Sequence, residues 1–353
     1  MSTSTVHRGR GAVSAPDGRF ARQTVEAEPG AEAIESAPET VLRAMRAERI
    51  IATNDSPDVP FNRSINPYQG CEHGCIYCYA RPSHSYLDLS PGIDFETRIF
   101  YKPNAATRLL DAWEKPGYEV EPITLGANTD PYQPAEKKTR VTRELIELFD
   151  RHQHPVSIIT KGTLIERDID LLERLASKQL CSVAVSLPTM DDPLKRIMEP
   201  RVSSAKSRLK TIRRLVDAGI PTHALMAPII PAINDREIES LVDAAADAGV
   251  ISASYIFLRL PHEVKAIFGD WLCEHFPDRA EHVMSLVREA SGGKDYDHRY
   301  GRRQTGSGAY ADMLGARFKA ACRKRGLIAG EYQQALDCSR FIKPGAQQLG
   351  LGF

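Results

Sequence analysis

Three cysteines fall within eight residues, Cys71-Glu-His-Gly-Cys75-Ile-Tyr-Cys78. Thiolates are soft ligands that suit iron–sulfur clusters or zinc. Gaps of three and then two residues let one tight loop wrap a face of a cube-shaped cluster. Such a cube usually takes four cysteines, so a local set of three leaves one iron open to an exchangeable ligand. The competing use is a structural zinc site completed by His73 or a remote thiol. The chain would then be a non-catalytic zinc-bearing adaptor. Cys181, Cys273, Cys322 and Cys338 are scattered, and an odd total of seven does not describe a disulfide framework. Each reads as a small hydrophobic residue, and none is given a catalytic role.

The elements that must position this cluster alternate along the chain. The segments EPITLGANTD, VSIIT, CSVAVSLP, THALMAPIIP and SASYIFLRL read as strands without strict polar alternation. Amphipathic helices of about 10–15 residues separate them, which indicates an α/β fold with a parallel sheet covered on both faces. Right-handed crossovers curve such a sheet towards a barrel or partial barrel. Upstream, PETVLRAMRAERII offers a helical face of Val41, Leu42, Met45 and Ile50. Downstream, helices around residues 261–289 and 308–325 flank a link rich in Gly, Arg and Tyr. The expected divisions are a tail over 1–36, a core domain over 37–260, a mainly helical extension over 261–345 and a second tail over 346–353. The first tail reads as disordered, although Phe20 and its flanking arginines are anchors through which GRGAVSAPDGRF could dock.

Lys plus Arg and Asp plus Glu both total 46, so bulk charge gives no argument for a polyanionic partner. No apolar run approaches the length of a membrane span, and the N-terminus lacks the apolar core of a secretory signal. The expectation is a soluble, cytoplasmic protein.

CEHGCIYC resembles the signature of the radical SAM superfamily, with Tyr77 as the aromatic residue before the last cysteine. The resemblance implies a partial (β/α)6 barrel whose metal ligands are Cys71, Cys75 and Cys78, holding a [4Fe–4S] cluster. It also implies that S-adenosylmethionine chelates the open iron and is cleaved reductively to methionine and a 5′-deoxyadenosyl radical. An electron donor such as flavodoxin or ferredoxin is implied as a partner. INPYQGCEHGCIYCYARP and TDPYQP further resemble a branch near spore photoproduct lyase, often described as DNA-repair-photolyase-like, over roughly residues 45–345. The lyase carries a further cysteine between its cluster and mid-barrel that returns a hydrogen atom. No cysteine lies between Cys78 and Cys181 here, so the resemblance implies cofactor chemistry without dimer repair.

In parallel barrels chemistry collects at the C-terminal ends of strands. The family's Gly-Gly-Glu run after the first strand is absent, and Asn128, Thr129 and Asp130 stand in its place. Asp130 could accept a charge-assisted hydrogen bond from the cofactor ammonium; the same residues also form turns readily. Lys161 and Ser186 end two further strands, within reach of the cofactor's carboxylate or ribose. The resemblance puts Tyr77 near the adenine and MAPIIPAIND, with Pro228, Asn234 and Asp235, against it. Tyr132, Gln133, Glu136, Glu199 and Arg201 are candidates to line a substrate cavity.

Two basic stretches point to nucleic acid. Lys195, Arg196, Arg201, Lys206, Arg208, Lys210, Arg213 and Arg214 stand against Glu199 alone, and the C-terminal extension carries DHRYGRRQTGSGAY and then RFKAACRKRG, its basic residues interleaved with Tyr296, Tyr300 and Tyr310. A solvated helix face and a peptide or small-molecule substrate remain open. Gln348 to Phe353, QLGLGF, resembles peptides that dock into the bacterial sliding clamp.

Overall fold

A computed structural model describes residues 9–20, 39–330 and 335–345. Its strands are β1 (Val41–Ala44), β2 (Ile51–Thr53), β3 (Arg63–Ile65), β4 (Tyr68–Gln69), β5 (Arg98–Tyr101), β6 (Ile123–Leu125), β7 (Val156–Thr160), β8 (Cys181–Ser186), β9 (Thr222–Ile229), β10 (Ser252–Phe257) and β11 (Ile328–Ala329). Eight form the main sheet in the order β11-β10-β9-β8-β7-β6-β3-β2. Every neighbour pair in it is parallel except β2 with β3. β1, β5 and β4 form a small second sheet. The run β3, β6, β7, β8, β9, β10 is a six-stranded parallel arc; the alternating pattern predicts five of its strands, and β3, before the cysteines, is the one it does not show.

Strand β7 shows how the sheet builds its two faces. Val156, Ile158 and Thr160 are buried, while Ser157 and Ile159 line a cavity. Buried Val183 and Val185 of β8 repeat the pattern, as do Ala224 and Met226 of β9. The buried side joins the core with the apolar stripes of the surrounding helices: Leu145 and Phe149 of 141–151, Leu172 and Leu175 of 169–176, and Ile212 and Leu215 of 205–217. Gly219 and Gly249 close two of the helices at positive φ, as expected.

The stretch around 41–50 departs from expectation. It forms β1 rather than a helix, because pairing with β5 supplies a parallel ladder from Val41–Arg98 to Ala44–Tyr101. Tertiary pairing overrides the local periodicity. Within the N-terminal tail, residues 9–20 are docked rather than disordered. Arg10 donates to the Glu96 carbonyl at 3.0 Å, Arg19 pairs with Glu263 at 2.9 Å, and Phe20 meets Tyr86 with ring centroids 5.0 Å apart. The extension over 261–345 is helical at 264–275, 280–290 and 309–324, yet it also adds β11 to the main sheet. Its last described segment binds back along the N-terminal ends of the strands: Asp337 N–H donates to Gln179 O at 2.9 Å and Ile342 N–H to His152 O at 2.8 Å. Phe341 packs edge-on against Trp113 there. Gln348 to Phe353 lie outside the described residues. Among those described, no helix is long and apolar enough to cross a membrane.

Two histidines, His154 buried and His223 half-buried, give the fold a pH dependence. His154 stacks on Trp113 with centroids 4.8 Å apart and is hydrogen-bonded to Tyr118. His223 sits between Ser252 and Ser254, each at 2.8 Å. Burial lowers both imidazoles to about 4. The unfolded chain protonates them near the ordinary value of about 6.5, so it binds more protons than the folded chain between those limits. Stability is therefore lost as pH falls from about 6.5 to about 4, by roughly 3 kcal/mol per histidine. Unfolding midpoints measured across that range should fall, and less steeply in His154→Phe. A flat profile for the unsubstituted protein would refute the assignment.

Candidate active site

The cysteine loop is folded by a buried ion pair beneath it. Arg81 and Glu96 are both fully buried and 2.5 Å apart. Arg81 Nε donates to Cys75 O at 2.9 Å and Nη2 to Gly74 O at 3.2 Å, so one guanidinium gathers the loop's carbonyls. Glu96 in turn accepts from Gly11 N–H at 2.9 Å and Ala12 N–H at 2.8 Å. The docked N-terminal segment thus completes the hydrogen bonding of a carboxylate otherwise sealed from water. Two glycines make the close approach possible. Gly74 lies at φ +67°, and a Cβ there would stand 2.6 Å from Glu96 Oε2; one on Gly11 would stand 1.9 Å from the Gly74 carbonyl.

Cys71, Cys75 and Cys78 all open onto one cavity of about 740 Å3 inside the arc. None is in a disulfide. Burial pushes all three thiols upward, so in the absence of iron they stay protonated; a bound metal would hold them as thiolates. Among the described residues, no three His, Cys, Asp or Glu side chains converge as a single ion would require. The donor set fits a cluster, whose separate irons each take one sulfur, better than zinc.

A second buried network stands behind the loop. Glu199 is fully buried, pairs with buried Arg208 at 2.7 Å, lies 3.5 Å from Lys161 Nζ and accepts from the Tyr77 hydroxyl. Burial opposes its charge, but Arg208 and Lys161 outweigh that and hold it at about 2. Its Oε1 is 4.0 Å from Cys75 Sγ. Lys161 also donates to Ser186 Oγ and lies over the Tyr77 ring at 5.7 Å. Tyr77, Lys161 and Ser186 are therefore joined at the cavity wall.

Asn128 and Asp130 line the same cavity, and Thr129 does not: it is buried, and its hydroxyl donates to Tyr68 O at 2.9 Å. Asp130 Oδ1 accepts from Tyr132 N–H and Thr160, and Oδ2 from Lys161 N–H at 2.6 Å. His73 Nδ1 lies 3.4 Å away. Burial opposes ionisation of Asp130, yet His73 and these donors keep its carboxyl below the ordinary range. It is thus both a turn residue and a cavity wall.

The other candidates are dispersed. Tyr132, Gln133 and Glu136 are buried away from the cavity; Glu136 accepts from Arg167 at 2.7 Å, and Gln133 brackets the loop through Glu72 N–H and Gly70 O. Arg201 pairs with Glu72 at 3.2 Å. Pro228 reaches the cavity, whereas Asn234 staples its own turn through Ile230 N–H and Pro228 O, and Asp235 accepts from Tyr310. The basic helix is neutralised in part within the fold, Arg208 by Glu199 and Arg214 by Glu166, while Arg213 donates to the Asp247 carbonyl.

Sequence reasoning missed Tyr79, Arg259 and His223, all of which line the cavity. Cys338 lines it too, in the segment that crosses the N-terminal strand ends, while Cys273 is exposed and not a core residue. The missed signal was period two: Ser157, Ser182 and His223 occupy inward positions on neighbouring strands.

The sequence profile of the Radical SAM superfamily matches residues 65–245, more than half the chain. An uncharacterised protein of Mycobacterium tuberculosis is 36% identical over 232 residues, covering 65% of this chain and 68% of the relative. One of Methanocaldococcus jannaschii is 26% identical over 221 residues, covering 63% and 79%. Among solved structures, a spore photoproduct lyase variant shares the fold, with a TM-score of 0.60 and 17% identity over 88% of each chain. The same lyase complexed with dinucleoside spore photoproduct gives 0.60 at 16% identity, over 82% of this chain and 81% of that one. With its cluster loop, parallel arc and matched profile in agreement, the chain belongs to the radical SAM superfamily.

Proposed function

We propose that Cys71, Cys75 and Cys78 hold a [4Fe–4S] cluster that cleaves S-adenosylmethionine reductively, and that the enzyme acts on nucleic acid. The observation that carries this reading is the single cavity shared by the three thiols, the joined polar wall of Tyr77, Lys161 and Ser186, and the aromatic and cationic pair Tyr79 and Arg259. The bound cofactor supplies a 5′-deoxyadenosyl radical able to abstract hydrogen. This chain's residues would bind and orient it: Lys161 would meet the carboxylate, Ser186 and Asn128 its polar groups, and Tyr77 the adenine. The fold shared with a lyase solved with a dinucleoside lesion supports a nucleic-acid substrate. Docking of Gln348 to Phe353 on a sliding clamp and reduction by flavodoxin or ferredoxin belong to the same proposal.

The test is anaerobic reconstitution with iron and sulfide, reduction by dithionite, and chromatography for 5′-deoxyadenosine. Binding of single-stranded DNA is measured alongside at several salt concentrations. Cofactor cleavage together with salt-dependent DNA binding is expected. Cleavage without any DNA affinity would instead assign a peptide or small-molecule substrate. Stoichiometric zinc with no cleavage would overturn the catalytic reading.

A further inference from the structure

Parallel barrels normally fill their interior with bulky branched side chains. This arc does not. Ser64, Thr124, Ser157 and Ser182 stand in register across β3, β6, β7 and β8, and all four line the cavity. One step towards the cluster, Ala184 of β8 is in register with His223 of β9. Small and hydroxylic residues at inward positions leave the interior hollow and able to hydrogen-bond. The volume of about 740 Å3 lies in the upper part of the roughly 300–1,000 Å3 typical of small-molecule sites, which leaves space beside a cofactor.

Charge is partitioned along this cavity. Its cations are Lys161, Arg259 and Arg303, and its depth carries hydroxyls and a histidine that burial keeps neutral. Lys161 lies near Glu199, and Arg303 is paired with Asp58. Arg259 has no carboxylate partner among the described residues. It lies over the Tyr79 ring at 5.4 Å and donates to the Tyr296 hydroxyl at 3.2 Å. Its Nε is buried with no acceptor. A buried guanidinium N–H without a partner is costly unless a ligand supplies one.

A ligand complementary to this gradient has an anionic end and a neutral, hydrogen-bonding head. We propose that the cavity takes one unstacked nucleotide of a single strand, its phosphate on Arg259 and its base directed inward to the hydroxyls of Ser64, Ser157 and Ser182. This assignment rests on the nucleic-acid reading above. An extruded base gains hydrogen bonds along its edge and loses its stacking in the strand, so an unpaired nucleotide enters at the lowest cost.

The test uses cluster-loaded protein and a short fluorescent single-stranded DNA whose central nucleotide is either intact or abasic. The intact strand should bind about tenfold more tightly, the scale of one well-held base. Arg259→Gln should weaken both strands about fivefold and reduce the salt slope by about 0.7, as for one lost phosphate contact. Ala184→Leu, which fills the interior, should remove the preference for the intact strand while leaving abasic affinity unchanged. Ser182→Ala repeats that test by removing an inward hydroxyl without adding bulk, should Ala184→Leu fail to fold. DNA binding with equal affinity for both strands, or a preference that survives both interior variants, overturns the base-inward site and leaves the nucleic-acid reading intact. No DNA binding at all overturns both.

Discussion

Arg81→Met is expected to destabilise the protein by about 3–5 kcal/mol, the scale for breaking a buried ion pair by removing one partner. The substitution leaves Glu96 fully buried with its charge uncompensated, and it releases four carbonyl groups, those of Cys75, Gly74, Pro91 and Gly92. The Cys75 and Gly74 carbonyls set the path of the loop carrying Cys71, Cys75 and Cys78. Iron incorporation should therefore fall together with the thermal midpoint. Arg81→Met combined with Glu96→Gln should recover part of the stability, because no buried charge then lacks a partner. It should not restore the loop, since the carbonyl contacts remain lost. Denaturant unfolding and iron content measured on both variants separate the two effects. If the double variant is no more stable than Arg81→Met, the loss does not come from the stranded carboxylate.

Replacement of any one cluster cysteine by alanine is expected to have the second large effect, loss of 5′-deoxyadenosine formation to background. The expectation follows from the donor count: three thiols of one loop open on the cavity, and a cluster held by one sulfur per iron needs all three. Cys181→Ala and Cys322→Ala serve as controls, because both thiols are buried in the packed core. Burial pushes them up to about 12 and about 11 respectively. These two variants should keep cofactor cleavage while losing modest stability through lost packing. Retained cleavage in Cys75→Ala would mean that the cluster is held elsewhere.

The two variants test different layers of one site. The cysteines are its donors, and Arg81, Glu96 and the docked Gly11–Ala12 segment position them. Glu199 belongs to the positioning layer as well. It holds Tyr77 and lies close to Lys161, while Arg208 balances its charge.

Much of this was legible in the sequence because it depends on neighbours along the chain. Spacing within one loop identifies Cys71, Cys75 and Cys78 as a donor set. Helical periodicity over 141–151 and 205–217 follows from local geometry, and the apolar strand segments between the helices dictate a parallel sheet. Asn128, Asp130, Lys161 and Ser186 were findable because strand C-terminal ends converge in such a fold. What required the tertiary structure was every pairing between distant residues. β1 takes its conformation from β5, more than fifty residues away, so its own helical periodicity misleads. Arg208 and Glu199 read as parts of a solvated basic patch until the fold buries them against each other. Thr129 sits between two cavity residues but turns to the Tyr68 carbonyl, a contact set by the bend after β6 rather than by local sequence. The hollow interior is of the same kind. Serines at single strand positions carry no signal, and only the register of neighbouring strands makes Ser64, Thr124, Ser157 and Ser182 one surface. Local sequence determined the chemistry that the loop can hold; long-range register and burial decided which side chains surround it and what space is left for a substrate.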